Sequence, residues 1–130
     1  MIVLDADAVV DPDYVSALDA AAPVRGKAIE CYDDVRNPDD SALTRMAEVM
    51  AAGRFRGSFR LKHDAGITVP LSDGMCIGSD VLRDHPWQAF SLSEDWELYA
   101  QLTAKGVAIE LAQGAHLYAQ EARTLGRAAP

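Results

Sequence analysis

Two aspartates near the start of the chain have a spacing that could bind a metal ion. Asp5 and Asp7 flank Ala6 and directly follow residues 2–4, a short apolar run typical of a buried strand. Side chains two positions apart on an extended backbone point to the same side, so both carboxylates could bind one hard divalent cation. Such a cation would bridge the oxygens of a diphosphate. Because the motif is short, the two residues could instead be only turn and capping aspartates.

A second acidic pair opens a predicted helix in the last third of the chain. Glu94 and Asp95 follow Ser93, and Trp96 comes next. Acidic side chains in a first helical turn interact favourably with the helix dipole, so the pair could serve only as capping residues. If this helix begins beside the first acidic motif, one of the carboxylates could act as a general base. Phe90 and Trp96 would then exclude water from it.

Strands and helices alternate along the sequence, which predicts an α/β domain with a mostly parallel sheet. The helix after Ser41 is predicted to bury Leu43, Met46 and Met50 on one face. Residues 53–66 fit either a continuation of this helix or a loop. The other predicted strands are residues 2–4, 28–35, 67–71, 75–77, 107–111 and 115–119, and the other predicted helices are 12–22, 79–83 and one between Ser93 and Gly106.

The composition is that of one globular domain, spanning residues 1–130, with a tail at 123–130 that is expected to fray. The chain has 130 residues, 49% of them hydrophobic, and a formal net charge of -8. This acidic balance argues against nucleic acid as a partner. No apolar run approaches the roughly 20 residues that span a bilayer, and the first residues do not resemble a signal peptide. Cys31 and Cys76 are expected to be free, buried thiols.

The first acidic motif by itself also resembles the nucleophile strand of haloacid-dehalogenase-type phosphatases. That resemblance implies that Asp5 attacks phosphorus and that Asp7 acts as acid and base. The other parts of that family's site are missing, because no strand ends in a phosphate-binding Ser or Thr and no Lys precedes an acidic pair on a later strand. A further alternative is a non-catalytic module that only binds a partner or a sugar.

Taken together, three segments resemble glycosyltransferase family 2, in particular its processive, cellulose-synthase-like bacterial branch. They are residues 3–13 with the D-x-D motif, 70–75 with Ser-Asp-Gly, and 91–98 with Ser-Glu-Asp-Trp, and the resemblance runs from residue 2 to about 125. It implies a partial GT-A fold, with a mixed, mostly parallel sheet flanked by helices. The nucleotide-binding strands that precede the D-x-D motif in this family, and the Gln-x-x-Arg-Trp motif that follows, are not found in the sequence.

The resemblance also implies a role for each acidic residue. Asp7 would bind Mg²⁺ or Mn²⁺, and Asp5 would support the ion and the ribose or diphosphate of the donor. Asp95 would be the base that deprotonates the acceptor hydroxyl, with Glu94 as a helper. The residues that would line the acceptor site are Ser72, Asp73, Gly74 and Trp96. The implied reaction is an inverting displacement at the anomeric carbon, with the metal neutralising the departing diphosphate.

The implied partners are a UDP- or GDP-linked sugar and a glycan or lipid-linked acceptor of polysaccharide or envelope synthesis. The implied location is the cytoplasm, at the cytosolic face of the inner membrane for a full-length parent. The strand at residues 2–4 would lack its upstream neighbours, and an open strand edge of that kind favours self-association. Because most of the donor's nucleotide pocket is not encoded, the isolated chain is expected to have little or no turnover.

Overall fold

A computed structural model describes residues 1–88, 91–124 and 126. Its strands are β1 (Val9–Val10), β2 (Lys27–Val35), β3 (Cys76–Ile77) and β4 (Ala108–Ala119). Its helices are α1 (Tyr14–Ala20), α2 (Ala42–Ala52), α3 (Arg60–Asp64), α4 (Ser79–Asp84) and α5 (Glu94–Ala104), and the π-helical segment Gly53–Phe59 joins α2 to α3. In the described parts of the chain, none of these helices has the length and apolar character needed to cross a bilayer.

The strands form one four-stranded mixed sheet in the order β1-β4-β2-β3. The two long strands, β2 and β4, lie parallel at its centre, from the pair Lys27 and Ala108 to the pair Val35 and Ala119. The two short strands add antiparallel edges, β1 beside β4 and β3 beside β2. The predicted α/β fold class, with a mixed sheet flanked by helices, is therefore confirmed and is consistent with a partial GT-A fold.

Four of the predicted strands differ from the structure. Residues 107–111 and 115–119 are not two strands but belong to one continuous strand, β4. Residues 67–71 are not a strand, although the Val69 N–H donates to the Ile109 carbonyl at 3.1 Å. Residues 2–4 are not a buried strand either, because Ile2 forms only an isolated bridge to Cys76 and is 42% exposed. Ile2 and Leu4 are exposed, whereas Val3 between them is half-buried and packs against the core.

Two of the three apolar residues predicted on one face of α2 are exposed to solvent, and the third, Leu43, is half-buried. The prediction that Met46 and Met50 pack inward is wrong, because these side chains are 55% and 67% exposed. The residues of α2 that are buried are Thr44 and Ala51, which lie two turns apart on the other face. A periodic apolar pattern therefore located the helix correctly but assigned it the wrong buried face.

The segment after α2 is helical, which resolves the alternative between helix and loop. Phe55 and Phe59 in the π-helical part are buried, and their rings meet edge to face with centroids 5.0 Å apart. The wider turn of a π-helix changes which side chains share a face. Both aromatic rings therefore reach the core from a segment that also carries exposed arginines.

Two apolar clusters cover opposite faces of the sheet. Successive side chains of a strand point to opposite faces, and Ala28 and Ile29 accordingly belong to different clusters. The larger cluster contains Phe55 of the π-helical segment and Leu102 of α5, whereas the smaller one is covered by α1 through Tyr14. The free thiols Cys31 and Cys76 are buried, as predicted, and both belong to the smaller cluster. The predicted frayed tail falls largely on Leu125 and residues 127–130, which lie outside the described residues.

Candidate functional site

The first acidic motif forms an exposed turn between residues 2–4 and β1. The Ala8 N–H donates to the Asp5 carbonyl at 3.1 Å and closes this turn. Asp5, Ala6 and Asp7 are all exposed, so both carboxylates can reach a ligand from solvent. Ala6 and Asp7 are the turn residues at which the chain changes direction.

Asp73 fixes the position of this turn from a loop that is distant in sequence. Its Oδ1 atom accepts the N–H of Asp5 and the N–H of Gly74, each at 2.7 Å. The carbonyl of Gly74 accepts the hydroxyl of Tyr14 at 2.6 Å. Gly74 has a φ of +81°, and a Cβ atom on it would lie 2.0 Å from Cδ2 of Leu117. Only glycine therefore fits this point of the loop without strain.

A buried carboxyl group lies beneath the same loop. The Glu30 side chain of β2 is fully buried, and its two oxygens accept the hydroxyl and the N–H of Ser72 at 2.5 and 2.9 Å. Burial raises the pKa of Glu30 to about 8, although both hydrogen bonds from Ser72 and the charge of Arg54 oppose the shift. The sequence analysis missed this residue. The available signal was one charged residue within an otherwise apolar part of a predicted strand.

The second acidic motif acts electrostatically on the first. The pKa of Asp5 is raised by its partial burial and then by the negative charges of Asp73, Asp7, Glu94 and Asp95, in that order. Coulomb interactions weaken with distance, and Asp73 and Asp7 accordingly contribute more to this shift than Glu94 and Asp95. Charges from the start, the middle and the last third of the chain thus all act on Asp5.

The acidic region suits a divalent cation that a substrate helps to bind. In the described residues, no three His, Cys, Asp or Glu side chains converge closely enough to hold a metal ion by themselves. Mg²⁺, however, is commonly bound by one or two carboxylates together with substrate phosphates and water. Asp5 and Asp7 supply two exposed oxygen donors of this kind. A cation there would also relieve the repulsion that raises the pKa of Asp5.

The second acidic motif stands at the start of α5. Asp95 is half-buried, and its Oδ1 atom accepts the Trp96 N–H at 2.7 Å, whereas Glu94 is exposed. The Trp96 ring is exposed and meets Tyr99 edge to face, with centroids 5.9 Å apart. Phe90, expected to shield the base, lies outside the described residues. Asp95 thus has one oxygen engaged by the backbone and an exposed aromatic neighbour.

The four residues expected to line an acceptor site have different surroundings. The hydroxyl of Ser72 is engaged by Glu30, and one oxygen of Asp73 is engaged by two backbone N–H groups. Gly74 is buried, and Trp96 is the exposed member of the set. The Ser-Asp-Gly loop thus supports the D-x-D turn, while its contact with an acceptor stays a prediction.

A cavity of about 300 Å³ lies between β2 and α2, with Asp33, Arg54, Met50 and Glu121 among its lining residues. Burial raises the pKa of Asp33 to about 6 against the opposing charge of Arg54, while Asp73 and Glu121 raise it further. The guanidinium of Arg54 is 3.6 Å from the Asp33 carboxylate. The cavity thus combines a carboxyl group of raised pKa with a guanidinium that opposes the shift.

Comparison with known proteins identifies one matching family. The family model described as "Glycosyltransferase like family 2" matches residues 1–129, a span that includes both acidic motifs and the Ser-Asp-Gly loop. A search of curated proteins gives no match. The match favours this family over the phosphatase resemblance of the first motif. It is a match to the family as a whole and does not assign the processive branch.

Proposed function

The chain belongs to glycosyltransferase family 2, and on this premise we propose that its acidic region is the site of a metal-dependent, inverting sugar transfer. The donor is a UDP- or GDP-linked sugar, and the acceptor is a glycan or lipid-linked glycan of the cell envelope. Two observations support this proposal: the family match spans both acidic motifs, and the negative charges of Glu94 and Asp95 contribute to the raised pKa of Asp5.

Asp7 and Asp5 hold Mg²⁺ or Mn²⁺ in this proposal. When bound, the ion neutralises the developing charge of the departing nucleoside diphosphate. The contribution of the protein is to fix the carboxylates in advance. The hydrogen bond from the Asp5 N–H to Asp73, at 2.7 Å, holds the backbone of the turn while leaving the Asp5 side chain exposed.

Asp95 is the proposed general base. It accepts the proton of the acceptor hydroxyl as that oxygen attacks the anomeric carbon on the side opposite the diphosphate. Its bond to the Trp96 N–H orients one carboxylate oxygen, and the other oxygen is the one proposed to accept the proton. The exposed ring of Trp96 offers an apolar surface on which the acceptor sugar can pack.

Metal titration tests the proposal without depending on turnover. The 130-residue chain is titrated with Mn²⁺, with and without UDP or GDP, by isothermal titration calorimetry. Asp7→Ala is expected to weaken Mn²⁺ binding about 10-fold or more, because it removes one of two protein ligands. Asp19→Ala, which removes an exposed carboxylate of α1, is the matched control and should bind like the wild type.

Two outcomes of this titration would contradict the proposal. Equal Mn²⁺ affinity in the wild type and Asp7→Ala would remove the metal assignment. Nucleoside diphosphate binding of the same strength with and without Mn²⁺ would indicate a module that binds its ligand without metal-assisted chemistry.

A further inference from the structure

We infer that Glu30 is a positioning residue for the D-x-D turn and acts on it through Ser72 and Asp73. This inference rests on the proposed function, because the position of the turn matters for activity only if Asp5 and Asp7 bind the metal. Glu30 is fully buried and does not itself contact a ligand at the surface. Its effect on the site passes along a short series of hydrogen bonds.

The first step of the series is the contact between Glu30 and Ser72. Glu30 lies in the central strand β2, next to the point where the register between β2 and β4 shifts. Such irregularities re-aim side chains and recur beside active sites. Because both Glu30 oxygens are bonded to Ser72, the loop is tied to a central strand of the sheet.

The second step leads from Ser72 to the D-x-D turn. Asp73 follows Ser72 directly, and its Oδ1 atom receives the Asp5 N–H and the Gly74 N–H. On the far side of the loop, the Tyr14 hydroxyl holds the Gly74 carbonyl at 2.6 Å. The loop is therefore fixed from both faces of the sheet, by Glu30 on one and by Tyr14 on the other.

Stability alone does not account for a carboxyl group at this position. Residues of the larger apolar cluster line the same face of the sheet, among them Ala28 and Tyr32 on either side of Glu30 in β2. Burying a carboxyl group there is costly, and an apolar side chain of similar size often stabilises such a site more. The two bonds to Ser72 are what the carboxyl group adds over an apolar residue.

The test compares Glu30→Leu, which keeps volume but removes both bonds, with Glu30→Gln. An amide can accept the Ser72 N–H and donate to the Ser72 hydroxyl, so Glu30→Gln should retain the loop position. Glu30→Leu is expected to weaken Mn²⁺ binding, measured with UDP by calorimetry, about 10- to 100-fold, the range typical of residues that support metal ligands. Glu30→Gln should stay within about threefold of the wild type.

Two further variants separate positioning from general stability. Thr44→Val replaces another fully buried polar residue, in α2 and outside the series of hydrogen bonds, and should lower stability without changing Mn²⁺ affinity. Ser72→Ala removes the hydroxyl bond to Glu30 but keeps the backbone N–H bond. It should therefore weaken Mn²⁺ binding less than Glu30→Leu, and the two effects should not add, because Glu30→Leu already removes the bond that Ser72→Ala breaks.

The outcomes distinguish this inference from the proposed function. Wild-type Mn²⁺ affinity in Glu30→Leu, together with a clear loss in Asp7→Ala, would overturn the positioning role and leave the metal site in place. Wild-type affinity in Asp7→Ala as well would overturn both. If Glu30→Leu does not fold, Ser72→Ala decides, and its binding Mn²⁺ like the wild type would overturn the inference.

Discussion

The buried carboxyl group of Glu30 should make the fold less stable as the pH rises. Burial raises its pKa from an ordinary value of 4.5 to about 8. Between these two values the unfolded chain has lost the proton that the folded chain retains. The stability contributed by Glu30 is therefore fully present below pH 4.5 and lost as the pH rises through 8. At about 1.4 kcal/mol for each pH unit, the difference amounts to about 5 kcal/mol as an upper bound.

Glu30→Gln removes this titration, because an amide does not ionise in this range. Urea unfolding of the wild type and the variant at pH 5, 7 and 9 should show the wild type losing about 3 to 5 kcal/mol relative to Glu30→Gln across the series. Glu48→Gln, an exposed change in α2, is the control and should follow the wild type. Parallel pH profiles of the wild type and Glu30→Gln would refute the view that folded Glu30 keeps its proton at neutral pH.

Three further changes test the packing around the site, each by urea or thermal unfolding. Leu102→Ala truncates a fully buried side chain of α5 and should cost about 2 to 5 kcal/mol; a loss well below this range would show that α5 packs only loosely on the sheet. Tyr14→Phe removes the hydroxyl that bonds the Gly74 carbonyl at 2.6 Å and should cost about 1 to 3 kcal/mol, whereas a neutral result would contradict the fixed loop. Gly74→Ala places a Cβ 2.0 Å from Leu117 at a φ of +81° and should lower both the melting temperature and Mn²⁺ affinity, so an unchanged protein would argue against this loop geometry.

Elements with strong local signals were predicted well. The strand predicted at residues 28–35 and the helix predicted between Ser93 and Gly106 are both present with nearly these bounds, although the Ser93 side chain makes no capping bond. The errors arose where packing overrides local pattern. Met46 and Met50 have helical spacing, yet the buried residues of α2 are Thr44 and Ala51. Which face of a helix is buried depends on how the helix packs against the rest of the fold, and the spacing of apolar residues does not specify that packing.

The candidate site likewise has features that the sequence predicts and features that depend on the tertiary structure. The D-x-D motif and the acidic start of α5 were visible in sequence, because each is a run of a few adjacent residues whose chemistry is evident from their types. Their shared position, and the residues that hold them, were decided by the tertiary structure. Asp5 and Asp73 are separated by 68 positions, and Glu30 and Ser72 by 42. Contacts over such distances depend on the order and register of β2, β3 and β4, which bring remote segments together, and no local propensity encodes them.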